Sequence, residues 1–566
     1  MGDAVDFVLA LHSHLPYVLN HGRWPHGSDW LCEAALDTYL PLLEQLQQLA
    51  VDDITAPVTI GFTPVLANQL ASPVFARELE AYFTQRLLAC DEAPASLAAT
   101  GDTALLPLVT FWRARLCRLQ ALFRALDGDI LAAFRKLEQE GRLEIIGSAA
   151  THGYLPLLGR DESIRLQLAV GRAEHRRLFG RDPVGCWLPE CAYRPRGPWN
   201  ARAGSEPRVR PGIDEHLAAA GFRYFFTDSH MAHAGGALGS YGDIPLGAER
   251  FDGERHGPSS GTTEPAERSP YRAYRVTAQR GAGAVAALVR DPKSSLQIWS
   301  RHQGYPGDER YLEFHKIRWP GGLRLWRVSA PDSDLGTKQP YEPEAAAARA
   351  RDHAAHFAHL LATGAGARSG AGAGDLIAAP FDTELYGHWW FEGVEFLGET
   401  YRRLRDERTV RPVTAARHLE DHPPRTGLQL AEGSWGANGD HSMWLNDRTA
   451  WTWQRLWPLE DSFWTVARAA MGSPAARAVL AQAARELLLA QASDWQFIIS
   501  TGVVADYAER RFTLHCQDAE RLIAALAPGG SPDLPLEGAQ SLADALRVRD
   551  DLFPDVLASV AGALGE

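Results

Sequence analysis

The segment PVGCWLPECAYRP, residues 183–195, is an apolar run that ends in a carboxylate, Glu190. The residues before Pro189 are apolar enough to form a buried strand. A second segment, LIAAPFDTELYGHWW at residues 376–390, repeats this design and presents Asp382 after its apolar run. Each segment therefore predicts a buried strand that delivers a carboxyl group to the strand's C-terminal end.

Five further apolar runs alternate with helical stretches and predict the rest of a parallel sheet. They occupy residues 7–11, 57–62, 142–147, 223–227 and 285–289. Continuous apolar strands separated by helices are typical of a parallel sheet that is covered on both faces. His, Glu, Asp or Arg follows nearly every run, and the strand ends of a (β/α) barrel form the rim that carries the active site. We therefore expect an α/β fold with a barrel of about seven strands.

Aromatic residues near polar or glycine neighbours suggest what this rim binds. Aromatic faces stack on the C–H faces of sugar rings, and two carboxyl groups can supply the nucleophile and the acid/base of sugar chemistry. The pattern favours a carbohydrate-active enzyme. We expect its cleft wall to include Trp299, Trp389, Trp390, Trp435 and Trp444.

Charge, cysteine usage and hydropathy narrow the class of protein further. The 566 residues carry a net charge of -13 and no Lys/Arg-rich run, which argues against a nucleic-acid or anionic-membrane partner. The six cysteines are scattered without a C-x-x-C pair, as in a protein with reduced thiols. No apolar run is long enough to span a bilayer, and the first residues have no basic leader. We therefore expect a cytoplasmic enzyme.

The chain divides into a predicted barrel, residues 1–416, and a predicted helical domain, residues 417–566. Two insertions are expected in the barrel, a helical one at about 64–125 and a loop at about 228–270. After residue 417, long Ala/Leu/Arg-rich stretches have helical spacing. The front edge of this domain, residues 432–446, is aromatic and polar, and we expect it to complete the substrate cleft.

Three motifs resemble glycoside hydrolase family 57. They are HSHLP at residues 12–16, WLPE at residues 187–190 and FDTELYGHWW at residues 381–390. The likeness runs in order over nearly the whole chain, through the segment around Trp435 to SDW at residues 493–495. It is closest to those members that cut an α-1,4-glucan and transfer the fragment to a 6-hydroxyl group, a step of glycogen synthesis.

This resemblance implies a (β/α)7 barrel, a helical C-terminal domain, a retaining mechanism, and neither cofactor nor metal. Glu190 matches the family's nucleophile and Asp382 its general acid/base. The positions that match donor-sugar or other substrate-binding residues, or fall beside them, are His12, His14, His152, Arg290, Trp299, Gly307, Trp435, Trp444 and Asp494. The turn around Tyr241 resembles a mobile loop that covers the site and favours transfer over hydrolysis. Cys191, Val503 and the long 252–269 stretch depart from the family pattern, which leaves acceptor preference open.

Other functions remain compatible with the same residues. Within the family, a 4-α-glucanotransferase or an α-amylase shares both carboxyls and differs only around Tyr241 and Trp435. A metal-dependent deacetylase or α-mannosidase barrel could use His12, His14, His152 and Asp382 as zinc ligands. A non-catalytic glucan-binding protein would have no need of two carboxyls. Transferred chain length, the ratio of branching to hydrolysis and oligomeric state stay open.

Overall fold

The strands are short and mostly buried. The computed structural model describes residues 4–200, 207–235, 237–238, 268–277, 285–299, 304–330, 333–366 and 374–565. Within these ranges the strands in chain order are β1 (Val5–Ser13), β2 (Val58–Phe62), β3 (Leu143–Ser148), β4 (Gly185–Trp187), β5 (Gly197–Trp199), β6 (Arg208–Arg210), β7 (Tyr224–Thr227), β8 (Ala273–Val276), β9 (Ala286–Val289), β10 (Leu376–Asp382), β11 (Val410–Pro412) and β12 (Gly427–Leu428).

Seven parallel strands form the barrel wall, in the order β10-β1-β2-β3-β4-β7-β9. The bridge between Arg290 and Ala378 joins the end of β9 to β10, the strand at the other edge. The amide of Asp291 also donates to the carbonyl of Ala378 at 2.8 Å. Outside this wall, β8 pairs antiparallel with β9, and β11 pairs with the start of β1. The predicted seven-stranded α/β barrel is confirmed.

The strands are apolar because both of their faces are covered. All nine residues of β1 are buried, and so are all residues of β2 and β3. One face of a barrel strand fills the barrel interior and the other packs under the helices, so a continuous apolar run is needed. This is the physical reason that the apolar runs located the strands.

The helices of the barrel half cover the outside of this wall. The first helical stretch is interrupted by a π-helical turn, Ala35–Tyr39, between α1 (Ser28–Ala34) and α2 (Leu40–Val51). The stretch at 64–125 is helical and contains three of the helices. The helices are α1 (Ser28–Ala34), α2 (Leu40–Val51), α3 (Pro64–Leu70), α4 (Pro73–Thr100), α5 (Leu106–Ala125), α6 (Ile130–Gln139), α7 (Asp161–Phe179), α8 (Ile213–Ala219), α9 (Pro292–Trp299), α10 (Pro343–Gly366), α11 (Gly393–Leu404) and α12 (Ala415–Asp421).

The C-terminal part of the chain is helical, as predicted. Its helices are α13 (Ala450–Gly472), α14 (Arg477–Ala490), α15 (Asp494–Thr501), α16 (Ala505–Leu526), α17 (Leu536–Arg549) and α18 (Val556–Leu564). The predicted division at residue 417 falls inside α12, whose first amide, that of Ala415, donates to Thr59 of β2. The short strand β12 pairs with β8 of the barrel sheet.

No helix in the described ranges combines the length and the apolarity that crossing a membrane requires. The six cysteines, all within the described ranges, are free thiols.

Candidate active site

Glu190 lies three residues after the end of β4, in the short turn Pro189–Cys191. Its φ is 59° and that of Cys191 is 48°, so two consecutive residues with side chains occupy the left-handed region. Such backbone costs free energy and is concentrated at functional sites. Trp435 holds the turn in place, because its amide donates to the Glu190 carbonyl at 3.1 Å. Its indole Nε1 donates to Glu190 Oε2 at 2.8 Å.

The protonation of Glu190 depends on its neighbours. Burial raises the pKa of Glu190 to about 8, the Trp435 N–H opposes this rise, and the charges of Asp382 and Asp494 add to it. When Asp382 holds a proton, its charge disappears and Glu190 ionises more readily. The ionisation of Glu190 therefore depends on the charge of Asp382.

Asp382 is the last residue of β10, where it lies beside His12 of β1 in the parallel register. It is half-buried, and its charge acts on Glu190 across the barrel mouth. The two carboxyls found at the ends of separate apolar runs thus belong to one site. This is the arrangement that the barrel prediction required, since parallel strands end at the same rim.

Three histidines form a stack beside Glu190. His12 Nε2 lies 3.0 Å from His152 Nε2, and the ring of His14 stacks on that of His152 with centroids 4.0 Å apart. The indole of Trp187 lies parallel to the His12 ring at 4.7 Å. His152 Nδ1 is 3.8 Å from Glu190 Oε1. Burial lowers the pKa of both His12 and His152, and the neighbouring His14 acts in the same direction, so these two imidazoles are neutral.

The helical half of the chain holds this histidine stack from the other side. His14 Nε2 lies 3.0 Å from Asp494 Oδ2, and His152 Nδ1 lies 2.9 Å from Ser493 Oγ. Ser493 and Asp494 begin α15. The predicted contribution of the C-terminal part to the site is therefore carried by the start of this helix, in addition to Trp435.

Arg290 and two tryptophans form the wall on the β9 side. The Arg290 guanidinium is 1% exposed and lies 3.3 Å from Asp228 Oδ2. It also lies over the Trp299 ring at 5.7 Å and the Trp435 ring at 5.6 Å. A cation over an aromatic face is attracted by the ring's negative charge density. Arg290 therefore fixes the indole that bonds Glu190.

The remaining predicted site residues differ in burial and packing. Trp389 is 55% exposed and packs on Phe314, with ring centroids 4.7 Å apart. Trp444 is fully buried and stacks on Tyr154 at 4.5 Å. Gly307 ends a short 3-10 turn, Tyr305–Gly307. Tyr241 and most of the 228–270 loop lie outside the described residues.

Several residues of the site were not identified from the sequence. They are Tyr39, Tyr154, Trp187, Ser493 and Glu384. Trp187 and Glu384 lie inside the quoted motifs, so their proximity to the two carboxyls was an available signal. Ser493 likewise belongs to the quoted SDW segment, whereas Tyr39 carries no local signal, because only a long-range contact brings it to the rim.

Two other clusters in the described ranges have metal-ligand geometry, and neither includes the histidines of the zinc alternative. Their residues are His21, His515 and Asp550 in one cluster and Glu33, Asp37 and His388 in the other. A guanidinium group already lies in each cluster. Arg511 contacts His515 at 3.1 Å, and Arg324 contacts both acidic residues of the second cluster.

Comparisons with known proteins agree with the architecture of the site. Residues 8–431 match the family model described as glycosyl hydrolase family 57. Residues 459–560 match the model described as 1,4-alpha-glucan branching enzyme, C-terminal. The chain is 39% identical over 515 residues to the 1,4-alpha-glucan branching enzyme of Thermococcus kodakarensis, a match that covers 90% of this chain and 72% of the relative.

Solved structures show the same fold over the whole chain. The crystal structure of the Thermococcus enzyme, in complex with glucose and additives, has a TM-score of 0.87 at 37% identity and covers 99% of this chain and 96% of that chain. The branching enzyme from Pyrococcus horikoshii gives 0.86 at 37%, with 99% and 97% covered. The alpha-amylase AmyC from Thermotoga maritima gives 0.77 at 28%, with 99% of both chains covered.

Proposed function

Because the chain belongs to glycosyl hydrolase family 57, we propose that it is a 1,4-α-glucan branching enzyme. One observation carries the proposal. Ser493 and Asp494 lie inside the region that matches the branching-enzyme C-terminal model, and they bond the histidines beside Glu190. The region that matches the branching-enzyme C-terminal model therefore forms part of the site that holds the two carboxyls.

In the first step, Glu190 attacks the anomeric carbon of an α-1,4-linked glucose residue. Asp382 donates its proton to the departing glycosidic oxygen, and a covalent glycosyl–Glu190 ester forms. A protonated Asp382 suits this division of roles, since it carries no charge and so favours an ionised Glu190. The neutral His12 and His152 are proposed to line the subsite of the donor sugar.

In the second step, the 6-hydroxyl group of another glucan segment attacks the anomeric carbon of the glycosyl–Glu190 ester while Asp382 accepts its proton. The bond from this carbon to Glu190 breaks, and Glu190 leaves as a carboxylate. An α-1,4 bond is thereby replaced by an α-1,6 bond. Water competes with this acceptor, so the site has to exclude water until the acceptor arrives. The glucan contacts that we propose are to His14, Trp299, Gly307, Trp389 and Asp494, and Tyr241 is proposed to cover the site. Arg290, Trp435 and Trp444 were expected to contact the glucan too, but they are buried, and we propose that they support the cleft wall from behind.

A related hydrolase is the second candidate. The α-amylase from Thermotoga maritima shares the fold at 28% identity over 99% of this chain. Hydrolysis would use the same two carboxyls and differ only in whether water or a 6-hydroxyl group opens the ester. The acceptor therefore decides between the two functions.

A cytoplasmic location and a role in glycogen synthesis are part of the proposal. The free thiols support a reducing compartment. An α-glucan is the proposed donor and acceptor, without a nucleic-acid or membrane partner.

The decisive experiment incubates the protein with amylose, debranches the product with an isoamylase, and counts reducing ends before and after. We expect new chains only after debranching, and none with Glu190→Gln. Glu392→Gln is the matched control, because Glu392 is also a buried carboxyl with a pKa raised by burial, to about 7. A rise in reducing ends without debranching would instead identify a hydrolase.

A further inference from the structure

The turn that follows Asp382 is held by an unusual segment of the chain. Residues Ala35–Tyr39 form one π-helical turn between α1 and α2. Such turns insert one extra residue into a helix and occur frequently at functional sites. Here the turn directs two buried side chains, Asp37 and Tyr39, toward residues 384–388.

Tyr39 bonds the second residue after Asp382. Its hydroxyl group donates to Glu384 Oε1 at 2.5 Å. The same oxygen accepts the amide of His14 at 3.1 Å. Glu384 thus joins the end of β1, the π turn and the end of β10 at one atom. The contact between Tyr39 and Glu384 spans 345 residues of sequence.

Asp37 holds the far end of the same turn. It forms an ion pair with Arg324, and His388 Nδ1 lies 3.4 Å from its Oδ2. Gly387 lies directly against the backbone of Asp37, since a Cβ placed on Gly387 would lie 2.1 Å from the Asp37 carbonyl oxygen. Residues 384–388 therefore pack closely against the π-helical turn Ala35–Tyr39 at both of their ends.

A third contact holds the residue next to Asp382. Ser13 Oγ donates to Thr383 Oγ1 at 2.8 Å. Asp382 is followed at once by the 3-10 turn Thr383–Leu385, so its backbone direction is set where that turn begins. Contacts to Thr383 and Glu384 therefore fix the orientation from which the Asp382 side chain enters the site.

From these contacts we propose that Tyr39 and Glu384 are positioning residues for the acid/base Asp382. The proposal rests on the proposed function, because it requires that Asp382 donates the proton in the first step. A general acid must be within hydrogen-bond reach of the oxygen that it protonates, and a small displacement costs much of its effect. Removal of the Tyr39 hydroxyl group leaves Glu384 with one hydrogen-bond donor fewer. The 3-10 turn Thr383–Leu385 then loses its contact with the π-helical turn.

The charge state of Glu384 suits a positioning role. Burial raises the pKa of Glu384 to about 8, although the Tyr39 hydroxyl group opposes this rise. At neutral pH the carboxyl group is therefore mostly neutral. It can accept both hydrogen bonds without placing a second negative charge beside Asp382.

A second Tyr–Glu pair provides a matched control. Tyr341 donates to Glu392 Oε1 at 2.7 Å, and the amide of Leu312 donates to the same oxygen at 3.1 Å. Both residues of this pair are buried. It repeats the bonding of Tyr39, Glu384 and the His14 amide at a place outside the turn that follows Asp382. Tyr341→Phe therefore reproduces the structural cost of Tyr39→Phe without its proposed effect on Asp382.

The test compares two donors that differ in their need for an acid. A maltooligosaccharide requires protonation of its leaving oxygen, whereas α-maltosyl fluoride releases fluoride with little help from an acid. In both cases kcat/KM reports the first step, attack by Glu190. We expect Tyr39→Phe to lower kcat/KM about tenfold on the maltooligosaccharide and less than twofold on the fluoride. Tyr341→Phe should change neither value by more than twofold.

Each other outcome has a definite meaning. Equal losses on both donors, or a Tyr39→Phe profile like that of Tyr341→Phe, would overturn the positioning role. Asp382→Ala separates this failure from failure of the proposed function, because full activity of Asp382→Ala on the maltooligosaccharide would remove the acid/base assignment itself. If Tyr39→Phe does not fold, Glu384→Leu replaces it. Glu384→Gln should then restore activity, since its amide oxygen can accept both donors.

Discussion

Trp435 contributes to the site mainly through its hydrogen bond to the proposed nucleophile. It was predicted as a substrate contact, yet only 1% of it is exposed and its N–H points at Glu190 Oε2. A donor to an ionised carboxylate is worth about 1.5–3 kcal/mol. In a buried site that already raises the pKa of Glu190, this bond favours the ionised form that must attack the sugar.

Trp435→Phe should move the acid limb of the pH–rate profile upward by about one pH unit, since one unit corresponds to about 1.4 kcal/mol. The nucleophile must be ionised, and loss of a donor to its charged form raises its pKa. The measurement is kcat/KM on amylose against pH.

Trp464→Phe is the control for this prediction. It also removes a buried indole donor, to Ser163 Oγ at 2.9 Å, but in the helical half of the chain. The acid limb of the pH–rate profile of Trp464→Phe should not move. An unchanged acid limb in Trp435→Phe would mean that the indole does not stabilise the charge of Glu190.

At the scale of elements, the end of β10 depends on one glycine. Gly387 has a φ of +112°, which disfavours a residue with a side chain. Its missing Cβ also allows the close approach to the Asp37 carbonyl. The π turn and the turn after Asp382 therefore require a glycine at this position.

Gly387→Ala should lower the free energy of unfolding by at least about 2 kcal/mol and reduce activity more than tenfold. The positive φ at residue 387 and the clash between the new Cβ and the Asp37 carbonyl oxygen both contribute to these losses. Chemical denaturation and amylose turnover measure the two effects.

Gly472→Ala provides the contrast, because no atom lies within 4 Å of a Cβ at that position, which ends α13. It should change the free energy of unfolding by less than about 1 kcal/mol. Equal stability of the two variants would show that the turn tolerates a side chain.

At the scale of the whole molecule, a buried charged cluster joins the segment after β1 to the C-terminal helices. His21 Nε2 lies 2.6 Å from Asp550 Oδ1, and Arg511 donates to the Tyr17 carbonyl at 2.7 Å. Although burial opposes it, contacts with His21, His515 and Arg549 lower the pKa of Asp550. This cluster involves residues that follow the HSHLP motif, so it helps to fix the position of the histidine stack relative to α15.

Asp550→Ala should lower the free energy of unfolding by about 3–5 kcal/mol, because it leaves the Arg549 guanidinium and the buried His21 without their carboxylate partner. Urea denaturation followed by circular dichroism would measure this loss.

Asp91→Ala is the exposed counterpart, since Asp91 pairs with Arg113 at the surface with both side chains about half exposed. Its cost should stay below about 1 kcal/mol. A similar loss of unfolding free energy in both variants would mean that the buried cluster around Asp550 stabilises the fold no more than a surface ion pair does.

Much of the architecture could be predicted because it depends on local patterns. Seven apolar runs located the seven barrel strands, and Glu190 and Asp382 were found as the carboxyls that end two of them. The family resemblance is confirmed by the match over residues 8–431. The roles of the individual site residues stay predictions.

The sequence by itself determined the hydrophobic period of the strands and helices. It also identified the two carboxyls and indicated the family. Those features arise from neighbouring residues along the chain, whose hydrophobic pattern decides which face is buried. Only the tertiary structure decided that Trp435 bonds Glu190, that Ser493 and Asp494 hold the histidines, and that Tyr39 reaches Glu384. Contacts between residues hundreds of positions apart depend on how the barrel closes and how the helices pack against its rim, and no local pattern encodes that geometry.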